Sequence, residues 1–412
     1  MTAEPPALRL PPPAFLAEPA LRSVLASLPD ARVVGGAVRD TLLGLAVADV
    51  DLATPRRPEE VIAALRRAGL GVAPTGLAHG TVTATAGGRG FEITTLRRDV
   101  ATDGRHAVVA FTDDWRADAA RRDFTLNALS MTRDGAVFDY WGGLADLQAG
   151  RVRFVGDPAA RLAEDYLRLL RFFRFFARFG RQPPDPATRA ALRAAVPGLA
   201  RLAPERIWKE LVGLLAAADP LPAIRLMAEL GVLDAVLPEG AAPDRLARLA
   251  EAGAPADPLL RLAALLTGAA HALAERLRLS AAERTRLCAL RAPPVPRPEA
   301  DDDDLRRMLA DLDPRLDASV LIGRAWLADD GARRWAGLRA RLAALPRPVF
   351  PLAGRDALKL GVPPGPEVGR LLAAVRSWWR DGGCSADRTA CLARLAAAAG
   401  AGRAGPDAPP VP

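Results

Sequence analysis

The chain has 412 residues, too many for one compact core, and this length predicts roughly two to four domains. A net charge of +8 favours a polyanionic partner, although nearly every basic residue is arginine, which gene composition alone can produce. Three scattered cysteines lack metal-ligand spacing and fit a reducing compartment. The longest apolar run, residues 262–273, is too short to cross a bilayer. We therefore expect a soluble, cytoplasmic protein without a secretion signal or membrane contact.

The two ends of the chain differ in composition from the rest. Residues 1–15 and 401–412 are rich in proline, alanine and glycine, which predicts a disordered leader and a disordered tail. Alanine, leucine and arginine dominate after residue 150, and this composition predicts that the later chain is mostly helical.

A diglycine turn between a predicted strand and a predicted helix is the first candidate site. The strand covers residues 32–34, Gly35 and Gly36 form the turn, and Arg39 lies one turn into the helix. Glycines at such a turn let a phosphate approach the backbone, and the free N–H groups at the helix start then face that anion. The turn therefore predicts a phosphate site, with Arg39 within reach of the anion.

The second strand predicted after this helix carries two carboxylates. Side chains alternate along a strand, so Asp49 and Asp51 share one face. A hard cation such as Mg²⁺ prefers carboxylate oxygens together with substrate phosphate. Asp-x-Asp alone more often marks a solvated edge strand, but its spacing from Gly-Gly-x-Val-Arg-Asp favours a magnesium site beside a bound triphosphate.

The next elements extend a small sheet. Residues 58–68 predict a helix, and residues 80–85 and 90–96 predict two strands joined by a hairpin turn. Glu92 in the second strand is a candidate third carboxylate, although an isolated strand glutamate is more often solvated. Residues 97–115 show charge, glycine and no sustained period, which predicts a mobile loop.

Two short segments follow. Residues 121–131, RRDFTLNALSM, predict a helix with Asp123 at its N-cap, an explanation that leaves Arg122 and Asn127 without a role. Residues 137–147, VFDYWGGLADL, predict a strand and a turn, in which the glycine pair forms either a hinge or an ordinary turn.

Residues 161–180 predict a helix with one charged face. Glu164 lies one turn before Arg168, and Asp165 lies three residues before it, while Arg171 continues the same face. Ordinary ion pairs along the helix are one explanation. The other is base recognition, because a carboxylate beside a guanidinium complements the amino donor and ring-nitrogen acceptor that cytosine and adenine share. Guanine and uracil present a carbonyl acceptor and a ring N–H donor instead. They would leave the carboxylate and the guanidinium buried without hydrogen-bond partners.

Taken in order, the glycine turn with Asp-x-Asp, RRDFTLNALSM, VFDYWGGLADL and the Glu-Asp-x-x-Arg-x-x-Arg pattern resemble the motifs of class II tRNA nucleotidyltransferases (CCA-adding enzymes) and poly(A) polymerases. The resemblance covers residues 32 to about 235 well and the remainder loosely. It implies an α+β fold: a small head, made of a mixed sheet with helices on one side, followed by an all-α neck, body and tail. The domains expected are a disordered leader (1–15), the catalytic head (16–148), the base-recognising neck (149–235), the tRNA-binding body and tail (236–400), and a disordered tail (401–412).

The resemblance also implies roles for single residues. Asp49 and Asp51 hold Mg²⁺ and, with Glu92 as a candidate, form the catalytic set, while Asp165 and Arg168 read the base. The residues assigned to the nucleotide are Gly35, Gly36, Arg39, Arg122, Asp123, Asn127, Glu164, Asp165, Arg168 and Arg171.

The activity implied is template-independent addition of C, C and A to the 3′ end of tRNA from CTP and ATP, with release of pyrophosphate. The enzyme would hold the tRNA acceptor stem through its backbone and shape, since double-helical RNA hides its sequence. Residues 354–372 resemble the segment that grips the tRNA elbow, with Lys359 and Arg370 as RNA contacts; Trp378 and Trp379 either stack on RNA or pack in a core. Three alternatives stay open: a poly(A) polymerase, a partial enzyme adding only C or only A, and a non-catalytic RNA-binding protein. The sequence does not predict an oligomeric state.

Overall fold

A mixed β-sheet organises the first of two structural units, Met1–Pro238 and Glu239–Pro412. The structure is a computed structural model that describes residues 4–102 and 107–401. The strands are β1 (Leu8–Arg9), β2 (Arg32–Val34), β3 (Asp51–Thr54), β4 (Gly71–Gly76), β5 (Thr81–Ala86), β6 (Arg89–Thr95), β7 (Arg97–Thr102), β8 (Ala107–Phe111), β9 (Ser130–Met131) and β10 (Ala136–Phe138).

Within the described chain, eight of these strands form one sheet in the order β1-β10-β9-β2-β3-β6-β5-β4. β3 runs parallel to β6 and antiparallel to β2, so the sheet is mixed as predicted. The strands expected at residues 80–85 and 90–96 are confirmed as β5 and β6, each within one residue. Gly87 and Gly88 adopt positive φ angles of 54° and 76°, the backbone of a tight hairpin turn.

Helices cover one face of this sheet. The head contains α1 (Pro19–Ser27), α2 (Gly36–Leu42), α3 (Pro58–Arg67) and α4 (Trp115–Ala120). Leu25 of α1, Val38 of α2 and Leu65 of α3 pack with Leu52 and Ile93 of the sheet in one buried core. Burying each such side chain contributes roughly 1.5–3 kcal/mol. Because strand side chains alternate, the residues next to Leu52 and Ile93 lie on the opposite face, and that face carries the acidic residues.

Two segments predicted to lack regular structure are ordered. Residues 4–15 belong to the predicted disordered leader, yet Leu8 and Arg9 pair with Val137 and Ala136 at the sheet edge. Residues 97–115, predicted as a loop, contain the β7–β8 hairpin, with Arg97 opposite Phe111. The sequence of β7 is polar and shows no alternation of apolar and polar residues. This strand therefore could not be predicted from its own residues, and it depends on pairing with the apolar strand β8. Residues 103–106 of the predicted loop lie outside the described residues.

The neck is helical and shares an aromatic core with the head. α5 (Gly143–Ala149) ends the predicted head, and the helices of the predicted neck are α6 (Pro158–Glu164), α7 (Leu167–Phe179), α8 (Pro186–Ala194), α9 (Pro204–Leu215), α10 (Leu221–Glu229) and α11 (Val232–Val236). The ring of Phe124 in the head lies 4.9 Å from Phe154 and 5.1 Å from Phe175 of α7. Phe172 and Phe173 are fully buried. The phenylalanines of α7 therefore pack as core, as predicted.

The second unit is all-helical, as expected for the body and tail. Two buried clusters hold it together, one around Leu305, Leu321 and Leu338, the other around Val375 and Leu395. No helix among the described residues is long and apolar enough to cross a membrane. The predicted disordered tail lies outside the described residues beyond Ala401. The helices are α12 (Pro243–Glu251), α13 (Pro258–Leu265), α14 (Ala270–Arg276), α15 (Ala281–Arg291), α16 (Asp302–Ala310), α17 (Ser319–Ala328), α18 (Arg333–Ala344), α19 (Gly354–Lys359), α20 (Pro366–Asp381) and α21 (Arg388–Ala401).

Candidate active site

The glycine turn links β2 to α2 as the sequence predicted. Gly35 has φ of 70°, a left-handed conformation that side chains with a Cβ rarely adopt, and its N–H donates to the Leu129 carbonyl at 3.1 Å. A Cβ on Gly35 would lie 3.2 Å from Nη1 of Arg122. The glycine therefore serves two needs, the backbone turn and the close approach of a guanidinium.

The acidic residues gather on the sheet face opposite the helices. Strand β3 begins at Asp51, so Asp49 lies just before the strand and not within it, which corrects the prediction. The register of Leu52 with Ile93 sets Asp51 beside Glu92 on the neighbouring parallel strand. The side chains of all three acids reach solvent. The structure therefore brings the predicted carboxylates together on one edge of the head.

The neighbouring carboxylates affect the ionisation of Asp51. Desolvation by surrounding protein atoms raises the pKa of Asp51, the negative charges of Glu92 and Asp49 raise it further, and the positive charge of Arg122 opposes them. Within residues 4–102 and 107–401, no three His, Cys, Asp or Glu side chains converge closely enough to hold a metal ion. The carboxylates of Asp49 and Glu92 nevertheless repel that of Asp51. Carboxylate oxygens fit a hard cation whose remaining ligands come from a substrate phosphate.

Arg122 lies between the glycine turn and the acids. Its Nη2 is 3.4 Å from the Asp118 carboxylate, which is buried and also accepts bonds from Arg121 Nε and the Arg97 backbone N–H. Burial lowers the pKa of Arg122, and Asp118 opposes that shift. An arginine stays charged even so. The positive charge of Arg122 is thus held beside Gly35, where it suits a triphosphate. The sequence analysis missed Asp118, which positions this guanidinium.

Arg39 differs from the prediction in its surroundings. Its side chain is only 6% exposed, its Nη1 donates to Asn127 Oδ1 at 2.6 Å, and its Nε donates to Asp40 at 2.8 Å. The guanidinium also lies 4.6 Å from the Phe179 ring centroid. These contacts make Arg39 a support behind the turn, and a direct contact between Arg39 and phosphate stays a prediction.

The segment around Asp123 is not the predicted helix. The α-helix expected over 121–131 is replaced by a short 3₁₀ turn, Thr125–Asn127, followed by β9. Asp123 accepts from the Phe124 N–H at 2.9 Å, Asn127 Nδ2 at 3.1 Å and Arg171 Nε at 2.7 Å. Burial alone would raise the pKa of Asp123, but Arg171 and these bonds outweigh burial and lower it. The tertiary partners hold Asp123 as an ionised carboxylate.

The predicted base-reading helix is broken where it was expected to be continuous. α6 ends at Glu164 and α7 starts at Leu167, and Asp165 between them is extended, with φ of −153° and ψ of 109°. Asp165 accepts from the Leu167 N–H at 2.9 Å and from Arg206 Nη2 at 2.8 Å. The break turns the Asp165 carboxylate off the helix axis and gives it partners that a continuous helix would not.

Arg168 has a different set of partners. Its Nη1 donates to Glu164 and, at 3.1 Å, to the Arg161 carbonyl; its Nη2 lies 3.5 Å from the Arg121 carbonyl. Asp165 and Arg168 therefore lie close together, but at a break that the prediction did not include. The Arg168 N–H donates to the Asp165 carbonyl at 3.0 Å, while each side chain is held by another residue.

Two charged residues of α9 escaped the sequence analysis. Glu210 is buried and bonds Arg174 Nε at 2.5 Å, with Arg171 Nη1 at 3.9 Å. Arg206 holds Asp165. Their spacing of four residues resembles an ordinary surface ion pair on a helix, so no sequence signal separates them from solvated charges.

Residues 121–123 connect the two halves of the site. Arg122 approaches Gly35 and acts on Asp51, the Arg121 carbonyl faces Arg168, and Asp123 bonds Arg171. The acidic edge and the base-reading break thus belong to one structural unit and share one three-residue segment.

The predicted RNA contacts lie in the second unit. Lys359 is exposed at the end of α19, and Arg370 is exposed on α20, where it pairs with Glu367. Trp379 is buried and donates to the Ala386 carbonyl at 3.1 Å, so it packs in the core. Trp378 is half-buried in the same cluster.

An acidic sheet edge beside a glycine turn, joined to a break that carries a carboxylate and a guanidinium, is the arrangement that the sequence analysis predicted for a nucleotidyltransferase. Two family models match the chain: the Poly A polymerase head domain over residues 31–153, and the probable RNA and SrmB-binding site of polymerase A over residues 183–242. The first covers the glycine turn, the acidic residues and residues 121–123, and the second covers Arg206 and Glu210; residues 154–182, which carry Asp165, Arg168 and Arg171, lie between the two matches.

Whole-chain comparisons give the family. The chain is 36% identical over 371 residues to "CCA tRNA nucleotidyltransferase 1, mitochondrial" of Danio rerio, covering 85% of this chain and 83% of that protein. The protein of the same name from Homo sapiens is 35% identical over 378 residues, covering 88% and 86%. The crystal structure of the Bacillus stearothermophilus CCA-adding enzyme in complex with CTP matches with a TM-score of 0.73 at 28% identity, covering 94% of this chain and 99% of that one. This chain belongs to the family of CCA-adding enzymes and poly(A) polymerases.

Proposed function

We propose that this protein adds C, C and A to the 3′ end of tRNA without a nucleic-acid template, using CTP and ATP and releasing pyrophosphate. The observation that carries the proposal is the joining of Asp165 and Arg168 to the acidic edge through residues 121–123. A template-independent enzyme needs protein groups to inspect the base at the place where the triphosphate reacts. Relatives named as CCA tRNA nucleotidyltransferases across most of the chain support the same activity.

The triphosphate side depends on charge. Enzymes of this family use a divalent metal, and here Asp49 and Asp51 would hold Mg²⁺, with Glu92 beside Asp51 as a further candidate. Bound there, Mg²⁺ supplies Lewis acidity that favours ionisation of the tRNA 3′-hydroxyl and neutralises phosphate charge. The glycine turn admits the triphosphate to the backbone, Arg122 pairs with its negative oxygens, and Arg39 and Asn127 hold the turn from behind.

The base side depends on hydrogen-bond pattern. The Asp165 oxygens each accept one bond within the protein, and each keeps a further lone pair for an exocyclic amino group. Nη1 of Arg168 donates two hydrogen bonds within the protein, and Nη2 donates one. Two of the five guanidinium N–H groups therefore remain for a ring nitrogen. Cytosine and adenine match this acceptor and donor order. Arg171 orders Asp123, the candidate ribose contact, and Glu164 holds Arg168.

The tRNA would lie along its acceptor stem on the head and neck, recognised by backbone and shape. Lys359 and Arg370 of the second unit are the proposed contacts for the elbow. A cytoplasmic location stays a prediction, since the two relatives named above carry the word mitochondrial in their names.

One assay tests the activity and its alternatives. Purified protein is incubated with tRNA lacking its terminal trinucleotide, and with CTP alone, ATP alone or both, and the products are sized on a gel. We expect two added residues with CTP alone and three with both nucleotides. Long A tails with ATP alone would identify a poly(A) polymerase, and products that stop at C or need a preformed CC end would identify a partial enzyme. No product at all would contradict the proposal.

A further inference from the structure

The α6–α7 break that presents Asp165 is held from outside by the chain segment that follows α8. Arg206 of α9 donates from Nη2 to Asp165 Oδ2 at 2.8 Å, and the two side chains are 32% and 24% exposed. Both ends of this bond are therefore partly shielded from water, where an ion pair orients its members better than at the open surface.

Packing fixes the same break one residue further on. Tyr166 lies between α6 and α7, and a Cβ on Gly198 would stand 2.0 Å from the Tyr166 ring. The Arg201 guanidinium lies 5.5 Å from the centre of that ring. The Tyr166 ring thus packs directly against the backbone at Gly198, and only glycine permits that approach. The backbone at Asp165 is consequently held in place even without its own side-chain bonds.

With the backbone held, the remaining freedom at Asp165 is rotation of its carboxylate. The Leu167 N–H engages Oδ1, so Arg206 is the group that engages the other oxygen. A carboxylate with one engaged oxygen can turn about its terminal torsion, which is broad and roughly two-fold. Without Arg206, the acceptor that faces a base would no longer be fixed, and discrimination by an unmatched hydrogen bond would weaken.

Glu210 provides an internal comparison on the same helix. It bonds Arg174 and lies 3.9 Å from Arg171, which in turn holds Asp123. Among the described residues, Glu210 forms no hydrogen bond or ion pair with Asp165 or Arg168. Glu210 therefore supports the part of the site common to every nucleotide, whereas Arg206 supports the part that differs among bases.

We propose that Arg206 is a positioning residue for base selection: it fixes the Asp165 carboxylate so that the enzyme accepts C and A and rejects U and G. This inference rests on the proposed function, because it assumes that Asp165 reads the base. It assigns to Arg206 an effect on nucleotide choice that is separate from any effect on the rate shared by all nucleotides.

The test measures kcat/KM for CTP and UTP on tRNA lacking its terminal trinucleotide. We expect Arg206→Gln to lower the CTP/UTP ratio at least about tenfold, and Arg206→Lys to restore part of it because the lysine keeps one donor. Glu210→Gln should lower both values together and leave their ratio unchanged. Arg189→Gln is the matched control, since Arg189 pairs with Glu229 and, among the described residues, forms no ion pair with a predicted site residue. Thermal unfolding of each variant checks that it is folded.

The outcomes separate the inference from the function. If Arg206→Gln keeps the wild-type ratio while Asp165→Asn loses it, the role of Arg206 is refuted and the base-reading function stands. Equal losses for CTP and UTP in folded Arg206→Gln also refute it, because they show general support only. If the wild-type protein transfers neither C nor A to tRNA, the proposed function itself fails. A ratio unchanged in Asp165→Asn would remove the assumption on which Arg206 depends.

Discussion

The two halves of the nucleotide site are built in opposite ways. On the sheet, the carboxylates of Asp49, Asp51 and Glu92 reach solvent and repel one another, so negative charge is in excess. At the α6–α7 break, Asp165 and Arg168 each already have a protein partner. Under the proposed function, the sheet side is completed by its ligand, whereas the neck side is complete beforehand and selects a ligand by its hydrogen-bond pattern. The first side would then control whether the reaction occurs, and the second would control which base is used.

The largest effect should follow from removing a carboxylate on the sheet side. We expect Asp51→Ala, and likewise Asp49→Ala, to reduce nucleotide transfer about 10³-fold or more, because this removes roughly 4 kcal/mol of metal-dependent stabilisation. Affinity for tRNA, measured by filter binding, should survive. Asp134→Ala is the control, since Asp134 lies exposed in a head turn and pairs with Arg9 at the surface. Full transfer activity in the Asp51 variant would contradict the division of roles.

A second test separates the turn's backbone from its contact with Arg122. Gly35→Ala and Gly69→Ala both put a side chain at a φ near +70°, which costs roughly 1–2 kcal/mol of stability in the left-handed helical region. Gly35 has a ψ of −128°, outside that region, so its variant should lose more. A Cβ meets Arg122 at 3.2 Å at Gly35, but meets nothing within 4 Å at Gly69. We expect a larger loss in the free energy of unfolding for Gly35→Ala, measured with urea, and at least about a tenfold loss of kcat/KM in the folded Gly35→Ala protein alone. Equal activity in both variants would show that Arg122 does not need this approach.

A third test concerns the bond network that joins the two halves. The pKa of Asp123 lies below its ordinary value of 3.8, so its charged form stabilises the fold at pH values above 3.8, and that stability is lost as the pH falls towards the lowered pKa. Asp123→Asn should cost about 1–3 kcal/mol at pH 7. The difference from wild type in urea unfolding should shrink below about pH 4. A difference that is independent of pH would show that Asp123 is not ionised in the folded protein.

The smallest effect is expected far from the chemistry. Replacing Lys359 and Arg370 by glutamine should weaken tRNA binding a few-fold and reduce its dependence on salt by about one unit per lost phosphate contact. Transfer to a minihelix that contains only the acceptor stem should stay unchanged. Replacing Arg9, an exposed head arginine paired with Asp134, controls for net charge. An equal loss with the minihelix would mean that these residues do not contact the elbow.

The sequence predicted the sheet side of the site better than the α6–α7 break. The glycine turn and the strands around it have local signals, namely φ-permissive residues and alternation, and the structure confirms them. Asp49 was placed inside the strand only because an alternating pattern does not show where the hydrogen-bonded ladder begins. The predicted helix over 161–180 had a sound helical period, yet Asp165 breaks it, because a capping bond to Leu167 and the pair with Arg206 outweigh propensity.

Long-range partners lay beyond the reach of sequence patterns. Three charged residues look solvent-exposed in the sequence but gain partners in the fold. The pairs are Asp118 with Arg122, Arg206 with Asp165, and Glu210 with Arg174. The same holds for the β7–β8 hairpin, whose polar strand acquires its structure from its neighbour.

The aromatic cluster around Phe124 bears on how this protein can be dissected. Phe124 directly follows Asp123, and its buried ring packs on Phe154 and Phe175 from the neck. A truncated protein ending near residue 148 would keep every acidic residue of the head but leave this ring and its neighbours uncovered in water. Catalytic head and helical neck should accordingly melt in a single cooperative transition, and the boundary that separates their tasks is not a place where the polypeptide can be cut.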